Sequence, residues 1–440
     1  MRFLFTTFEG GGHVPPALLA ASALRQRGHE VLLVSDPVNE DAARAVGLAF
    51  APWRTAPQRT AVAQADDPLQ DWRRRWPPRV VKAVCDAVMT GPAEAYANDT
   101  RTYIDAFSPD LVVSNELLLG AMIATESSSR PLALLSGNLW PYPTRPDLPP
   151  FGPGWPLPRT SHAVRFHQEA RQMIQRWFDA GLGDLNRARV AHGLAPLSGV
   201  VDQLAAAALV VLGTSRTFDY GLMPPSPFIH AGPLIDLPEA TTARPATSRP
   251  RPRVLVSFST TFQNQAPVMA RCLRALAPLD VDVIATTGPA LDPGTLPAPG
   301  NAKVVAWADH DVVVPECDLV ICHGGHGTLL RPLRHGVPVL CLPMGRDHPE
   351  NGRRLAFHAA GVVTSRDTST RRLRALAKGM LANPAYAAAA GALGRRIVHE
   401  QAEERAAGLA ALERLAAMSV EAQAFLRDQG GLQHPLKTAS

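Results

Sequence analysis

The sequence predicts an α/β protein built from two doubly wound, mostly parallel sheets, and three observations carry that prediction. Apolar strand-like runs alternate with helical patterns from the first residues onward. The alternation breaks once, in a polar, proline-rich stretch near residue 240, and then restarts. The chain has 440 residues at 46% hydrophobic content, more than one compact core accommodates.

The elements follow in order. RFLFTTF (2–8) reads as a buried strand, and the prolines of EGGGHVPPAL (9–18) open a helix, because a fixed φ suits a first turn and the missing N–H is no loss there. Gly28 stops that helix, and EVLLVS (30–35), PDLVVS (109–114), PLALLS (131–136) and ALVVLGTS (208–215) continue the strand series. The segment PYPTRPDLPPFGPGWPLP (141–158) is too rich in proline for either element and forms a stiff loop, whose aromatics either line an apolar pocket or pack it down. This first unit spans 1–235. Residues 236–252 lack periodic hydrophobics and read as an interdomain linker. The second unit, 253–425, restarts with RVLVSFS and runs through VDVIATTG, KVVAWA, DLVICHGG and VPVLCLP to alanine-rich terminal helices; 426–440 is a loose tail.

Composition excludes several classes. The net charge of +5 is carried almost wholly by arginine, and WRRRWPPR (72–79) is the one dense basic run with aromatics. A nucleic-acid partner is therefore not expected. That octamer reads as a solvated helix face and leaves a peripheral membrane-surface contact open. Five cysteines without CxxC spacing read as small buried hydrophobes of a reducing compartment. No signal peptide and no apolar run of spanning length occurs, so a cytoplasmic protein without integral membrane association is expected, compatible with a homodimer.

Two strand-to-helix corners concentrate chemistry. His13 hangs at the first, where ligands of open α/β sheets bind. The second lies in DLVICHGGHGTLLRPLRHG (318–336), where a strand ends in a glycine loop and a helix follows at once. Its glycines let backbone N–H groups approach an anion, and the helix dipole suits a diphosphate. His323 and Thr328 add side-chain donors.

GGGHVPP near the start, RGHEV closing the first helix, PDLVVS, GPL before the linker, Trp307, HGGHGT and GRDHPENG together resemble GT-B glycosyltransferases, the family of plant and antibiotic-pathway UDP- or TDP-sugar transferases. The resemblance covers nearly the whole chain. It implies two Rossmann-like domains facing across a cleft, with an acceptor on the first, a nucleotide-sugar on the second, and no metal or other cofactor. It further implies that His13 is the general base, consistent with an imidazole pKa near ~6.5, and that sugar transfer inverts the anomeric centre. On the donor side it implies Trp307 against the base, His323 and Thr328 on phosphate oxygens among Gly324, Gly325, His326 and Gly327, and Asp347 with His348 on sugar hydroxyls. Ser259 and Thr260 lie at another strand end within reach of the diphosphate. Gly12, Trp140 and Tyr142 are the expected acceptor contacts. The acceptor is expected to be a hydrophobic natural product such as an aromatic polyketide or macrolide, with a lipid acceptor or a non-catalytic donor-binding homologue as alternatives.

Three positions depart from the family pattern. The aspartate that orients the catalytic histidine falls at Asn115, which cannot offset imidazolium charge; either Glu116 supplies the carboxylate or the acceptor is acidic, a phenol or comparable group. Arg331 replaces the acid that pairs with ribose hydroxyls, which makes a thymidine donor plausible. Asp347-His348 stands for the usual acid-glutamine pair, compatible with deoxysugars. Rival readings are weaker. A nicotinamide oxidoreductase fails because Pro15 stands where the third fingerprint glycine belongs. A metal-dependent GT-A transferase rests on chance-level DxD matches at 280–282 and 309–311, and an epimerase on the same fold would turn over without an acceptor.

Overall fold

The computed structural model describes residues 1–61, 67, 69–74, 76–235, 249–258, 262–289 and 291–418. Two parallel sheets carry it. The first has the order β3-β2-β1-β4-β5-β6-β7, with β1 Arg2–Thr6, β2 Glu30–Ser35, β3 Ala49–Pro52, β4 Leu111–Asn115, β5 Leu132–Ser136, β6 Leu209–Leu212 and β7 Phe228–His230. The second has the order β10-β9-β8-β11-β12-β13, with β8 Arg253–Ser257, β9 Asp282–Thr286, β10 Ala302–Val305, β11 Leu319–Cys322, β12 Val339–Cys341 and β13 Gly361–Val363.

The strands form because near-continuous apolar runs can be buried on both faces only inside such a layered sheet. Leu4, Val112, Leu134 and Val210 pack on one face of the first sheet, and Phe3, Phe5, Val113, Leu135 and Val211 on the other. The second sheet repeats this division, Val254, Val256 and Ile321 against Leu255, Val320 and Cys322. All five cysteines are buried and none forms a disulfide.

Each sheet reverses its winding once, between β1 and β4 and between β8 and β11. Loops leaving the carboxyl ends of such a strand pair diverge to opposite faces and open a crevice. Thr6 lies beside Ser114 at one reversal and Ser257 beside Cys322 at the other, so the His13 and His323 corners both stand at crevices.

The terminal region holds two helices, Thr370–Ala382 and Pro384–Ala417. Ala390, Leu393 and Ile397 pack with the second sheet, whereas Leu409, Leu412 and Leu415 pack with the first. At ~1.5 Å per residue the longer helix reaches about 50 Å, enough to strap both lobes. Glu413 pairs with Arg27 and His29, each at 2.9 Å, at its far end. The sequence places these helices wholly with the second unit; the distal turns return to the first because a leucine repeat continues past the edge of the second core. The tail 426–440 and linker residues 236–248 lie outside the described residues.

Candidate active site

His13 caps the helix Val14–Gln26, which starts directly beyond β1. Its ring stacks on Phe8 with centroids 5.0 Å apart. Gly10 makes that stack feasible: a Cβ there would lie 2.7 Å from His13 Cδ2 and 2.9 Å from Phe8 Cε2. Gly11, at φ +79°, turns the loop. Behind the ring stands Asn115, the last residue of β4, with its Nδ2 at 3.1 Å from His13 Nδ1. The same Nδ2 donates to Glu116 Oε2 at 2.8 Å, and Asn115 Oδ1 accepts from the Leu117 N–H at 2.9 Å. Glu116 Oε1 accepts from Ser136 at 3.3 Å and lies 3.9 Å from His13 Nδ1. Burial disfavours charge on both: the imidazole is pushed down to about 4, with Asp347 opposing and Arg346 reinforcing the shift, and the Glu116 carboxyl up to about 8.

In the second lobe the helix His326–Arg334 begins after Gly325, which adopts φ −60° and ψ 142°. Its first turn leaves the amides of His326, Gly327 and Thr328 without intrahelical acceptors, facing the loop end of β11. Gly324, at φ +97°, has no room for a Cβ, which would meet Cys341 Sγ at 2.6 Å. A Cβ on Gly325 would lie 2.5 Å from His323 Nε2. His323 packs edge-to-face on His348, centroids 4.5 Å apart, and its buried Nδ1 has no hydrogen-bond partner. Burial holds His323 well below the ordinary imidazole range and His348 down to about 3, so both are neutral acceptors or donors at neutral pH.

The two corners meet. Asn138, next to the Gly137 that lies against His13, donates to Asp347 Oδ2 at 2.7 Å. Asn351 donates to the same oxygen at 2.6 Å and to the Gly324 carbonyl at 3.0 Å. The Asp347 and Arg346 charges act on both His13 and His323. Imidazole, carboxylate, glycine loop and helix N-terminus thus lie together where the two lobes meet.

Residues 270–408 match the family described as erythromycin biosynthesis protein CIII-like, C-terminal domain. The chain is 27% identical to 4'-demethylrebeccamycin synthase of Lentzea aerocolonigenes, over 88% of this chain and 93% of that protein. It is 27% identical to TDP-daunosamine transferase DnrS of Streptomyces peucetius, covering 88% and 90% of the two. The fold is shared with CalG4, the calicheamicin glycosyltransferase, at a TM-score of 0.69 with 19% identity, over 94% of this chain and 98% of that one. The fold is that of GT-B enzymes, and the chain is a sugar-nucleotide-dependent glycosyltransferase.

Within this glycosyltransferase the other predicted residues fall as follows. Trp307 stands 75% exposed in the loop after β10, a free aromatic face. His326 points toward the first lobe, Nε2 at 2.9 Å from Thr214 Oγ1. Gly12 is exposed, with no atom within 4 Å of a Cβ built there. Trp140 and Tyr142 belong to the packed core of the first lobe; Trp140 Nε1 donates to Thr144 at 2.7 Å, and the Tyr142 hydroxyl donates to the Glu116 carbonyl at 2.7 Å. They brace the His13 corner from behind, and the proline-rich loop is packed down at this end. Ser259 and Thr260 lie outside the described residues. Arg331 pairs with Asp311 at 2.6 Å, and Asp309 caps its short helix by accepting from Asp311 N at 2.9 Å, so the DHD triplet is spent on local structure.

Sequence reasoning missed the groups that join the lobes. Asn138, Arg346 and Glu350 act through partners about 200 to 280 residues away, and Asn351 steadies Asp347 within the second lobe. Glu350 accepts the Gly152 and Gly154 amides at 3.0 and 2.8 Å and so fastens the proline-rich loop to the second lobe. Of these, GRDHPENG carried the only signal: its acid and amide side chains crowd the start of one helix.

Proposed function

We propose that this glycosyltransferase is an inverting, metal-independent enzyme that moves a hexose-class sugar from a nucleoside diphosphate to a hydrophobic natural product, an aromatic polyketide or macrolide type. The observation that carries this reading is the Asn138–Asp347 bond at 2.7 Å, which holds the His13 corner against the glycine-loop corner. In that crevice the diphosphate rests on the amides of the His326 helix and on His323, whose buried Nδ1 awaits a partner. Trp307 stacks on the base, Thr328 and the Gly324, Gly325 and Gly327 amides hold phosphate oxygens, and Asp347 with His348 faces the sugar. The acceptor enters over Gly12 to His13, backed by Asn115 and Glu116. Attack on the anomeric carbon expels the nucleoside diphosphate, whose added charge the helix dipole stabilises. A relative named for TDP-daunosamine supports a thymidine donor. Among the described residues no helix is long and apolar enough to cross a membrane.

The test is incubation with TDP-glucose or UDP-glucose and an acceptor panel of aromatic polyketides and macrolides, with and without EDTA. A new glycoside mass with stoichiometric nucleotide release, unchanged by EDTA, is expected. Nucleotide release without glycoside, or activity abolished by EDTA, contradicts the proposal.

A further inference from the structure

Asn115 cannot be rotated end for end without loss. Its Oδ1 accepts from the Leu117 amide at 2.9 Å, and a backbone N–H only donates. The side-chain nitrogen must therefore face His13 and Glu116. Its two hydrogens match its two neighbours, Glu116 Oε2 at 2.8 Å and His13 Nδ1 at 3.1 Å. Nδ1 is then an acceptor, and a neutral imidazole that accepts at Nδ1 carries its proton on Nε2. The remaining carboxyl oxygen, Glu116 Oε1, is 3.9 Å from Nδ1 and is engaged by Ser136 at 3.3 Å, too far to draw a proton onto Nδ1.

A ring in this state has no free lone pair toward the crevice and cannot take a proton there. In serine-protease triads an Asp-to-Asn exchange behind the histidine costs about 10⁴ in rate for this reason. The charged and titratable groups around the ring do not restore basicity. Arg346, paired with Asp67 at 3.4 Å, disfavours the imidazolium from the other lobe, Asp347 opposes it while held by Asn138, and Glu116 stands behind Asn115.

We propose that Asn115 fixes His13 as a hydrogen-bond donor through Nε2–H, and that the enzyme selects acceptors that reach it already ionised, phenolates or comparably acidic groups, over aliphatic alcohols. This rests on the transferase reading above. The anionic oxygen accepts from Nε2–H, a charge-assisted bond that favours the ionised form. Its electron pair then forms the bond to the anomeric carbon while the bond from that carbon to the phosphate oxygen breaks, and the pair leaves with the nucleoside diphosphate. No proton is transferred, and the acceptor's negative charge passes to the leaving group.

The first test needs no substrate: long-range ¹H–¹⁵N spectra of the histidine-labelled full chain, with His13 assigned by loss of its signal in His13→Gln. The expected wild-type ring is bare at Nδ1 and protonated at Nε2, and Asn115→Asp reverses this. A ring protonated at Nδ1 in the wild type overturns the proposal. The second test compares substituted phenols with an alicyclic alcohol, using TDP-glucose and UDP-glucose. The wild-type kcat/KM should rise with pH up to each phenol's own pKa, and Asn115→Asp should raise the alcohol rate at least tenfold without raising that of a fully ionised phenol. Equal rates on alcohol and phenol, or a profile independent of the phenol's pKa, overturn it. Failure of both TDP and UDP to bind would instead defeat the transferase reading, and the tautomer measurement still decides this one.

Discussion

Asn138 of the first lobe and Asp347 of the second are joined by a hydrogen bond of 2.7 Å across the crevice. Asn351 binds the same carboxylate oxygen, so the orientation of Asp347 depends on both lobes, and Oδ1 remains turned toward the His348 side at 3.9 Å. Asn138→Ala removes one bond to a charged acceptor, a loss on the order of 1.5 kcal/mol. We expect kcat/KM for the sugar nucleotide to fall about tenfold, with the calorimetric affinity for free TDP unchanged. An equal loss of TDP affinity would place Asp347 in the diphosphate site instead.

Gly325→Ala tests the glycine-loop corner. The backbone at φ −60° accepts alanine, but the new Cβ would lie 2.5 Å from His323 Nε2, and that ring is confined by His348 and by Phe258, centroids 6.3 Å apart. Displacing the ring should weaken TDP binding by about tenfold or more, one lost charge-assisted contact, while the circular dichroism spectrum stays native. Unchanged affinity would remove His323 from the phosphate site.

Trp307→Ala separates a stacking platform from a core residue. The side chain is 75% exposed, so its loss should leave the thermal midpoint within about 1 °C, since surface changes fall within ±0.5 kcal/mol. Base stacking is worth ~1–3 kcal/mol, so the TDP dissociation constant should rise about tenfold. A lowered midpoint with unchanged affinity would mark it as structural.

The parts visible in the sequence are those written in periodic or contiguous form. The runs that begin at 2, 30, 109, 253 and 318 are nearly continuous in apolar residues because their middles are central strands, buried on both faces. The edges β3, β7 and β13, of 4, 3 and 3 residues, are too short to carry a period. The glycine loop and His13 were legible because a strand, glycines and a helix start leave adjacent marks. Asn138 was not, because it is a single polar residue whose partner is set by how the lobes dock, and Arg346 and Glu350 were marked only by their place in GRDHPENG. For Asn115 the residue was legible as a departure, but its consequence needed the Leu117 amide, which fixes the side chain end for end.

Glu116 should make stability depend on pH in a recognisable direction. In the fold its carboxyl stays protonated up to about 8, from an ordinary 4.5. Between those values the unfolded chain releases a proton that the native state keeps, so this group lowers stability as pH rises. Glu116→Gln removes that dependence. The melting temperature of the variant relative to wild type should therefore increase from about pH 5 to about pH 8. A flat difference would mean that the carboxyl ionises normally in the fold.

The arrangement of both lobes around one diphosphate is tested most directly by a crystal structure of the TDP complex. The diphosphate should lie within hydrogen-bond distance of His323 and the amides at 326–328, with thymine against Trp307 and the terminal phosphate facing His13. A nucleotide bound away from the loop after β11, or one whose terminal phosphate points away from the first lobe, would contradict it.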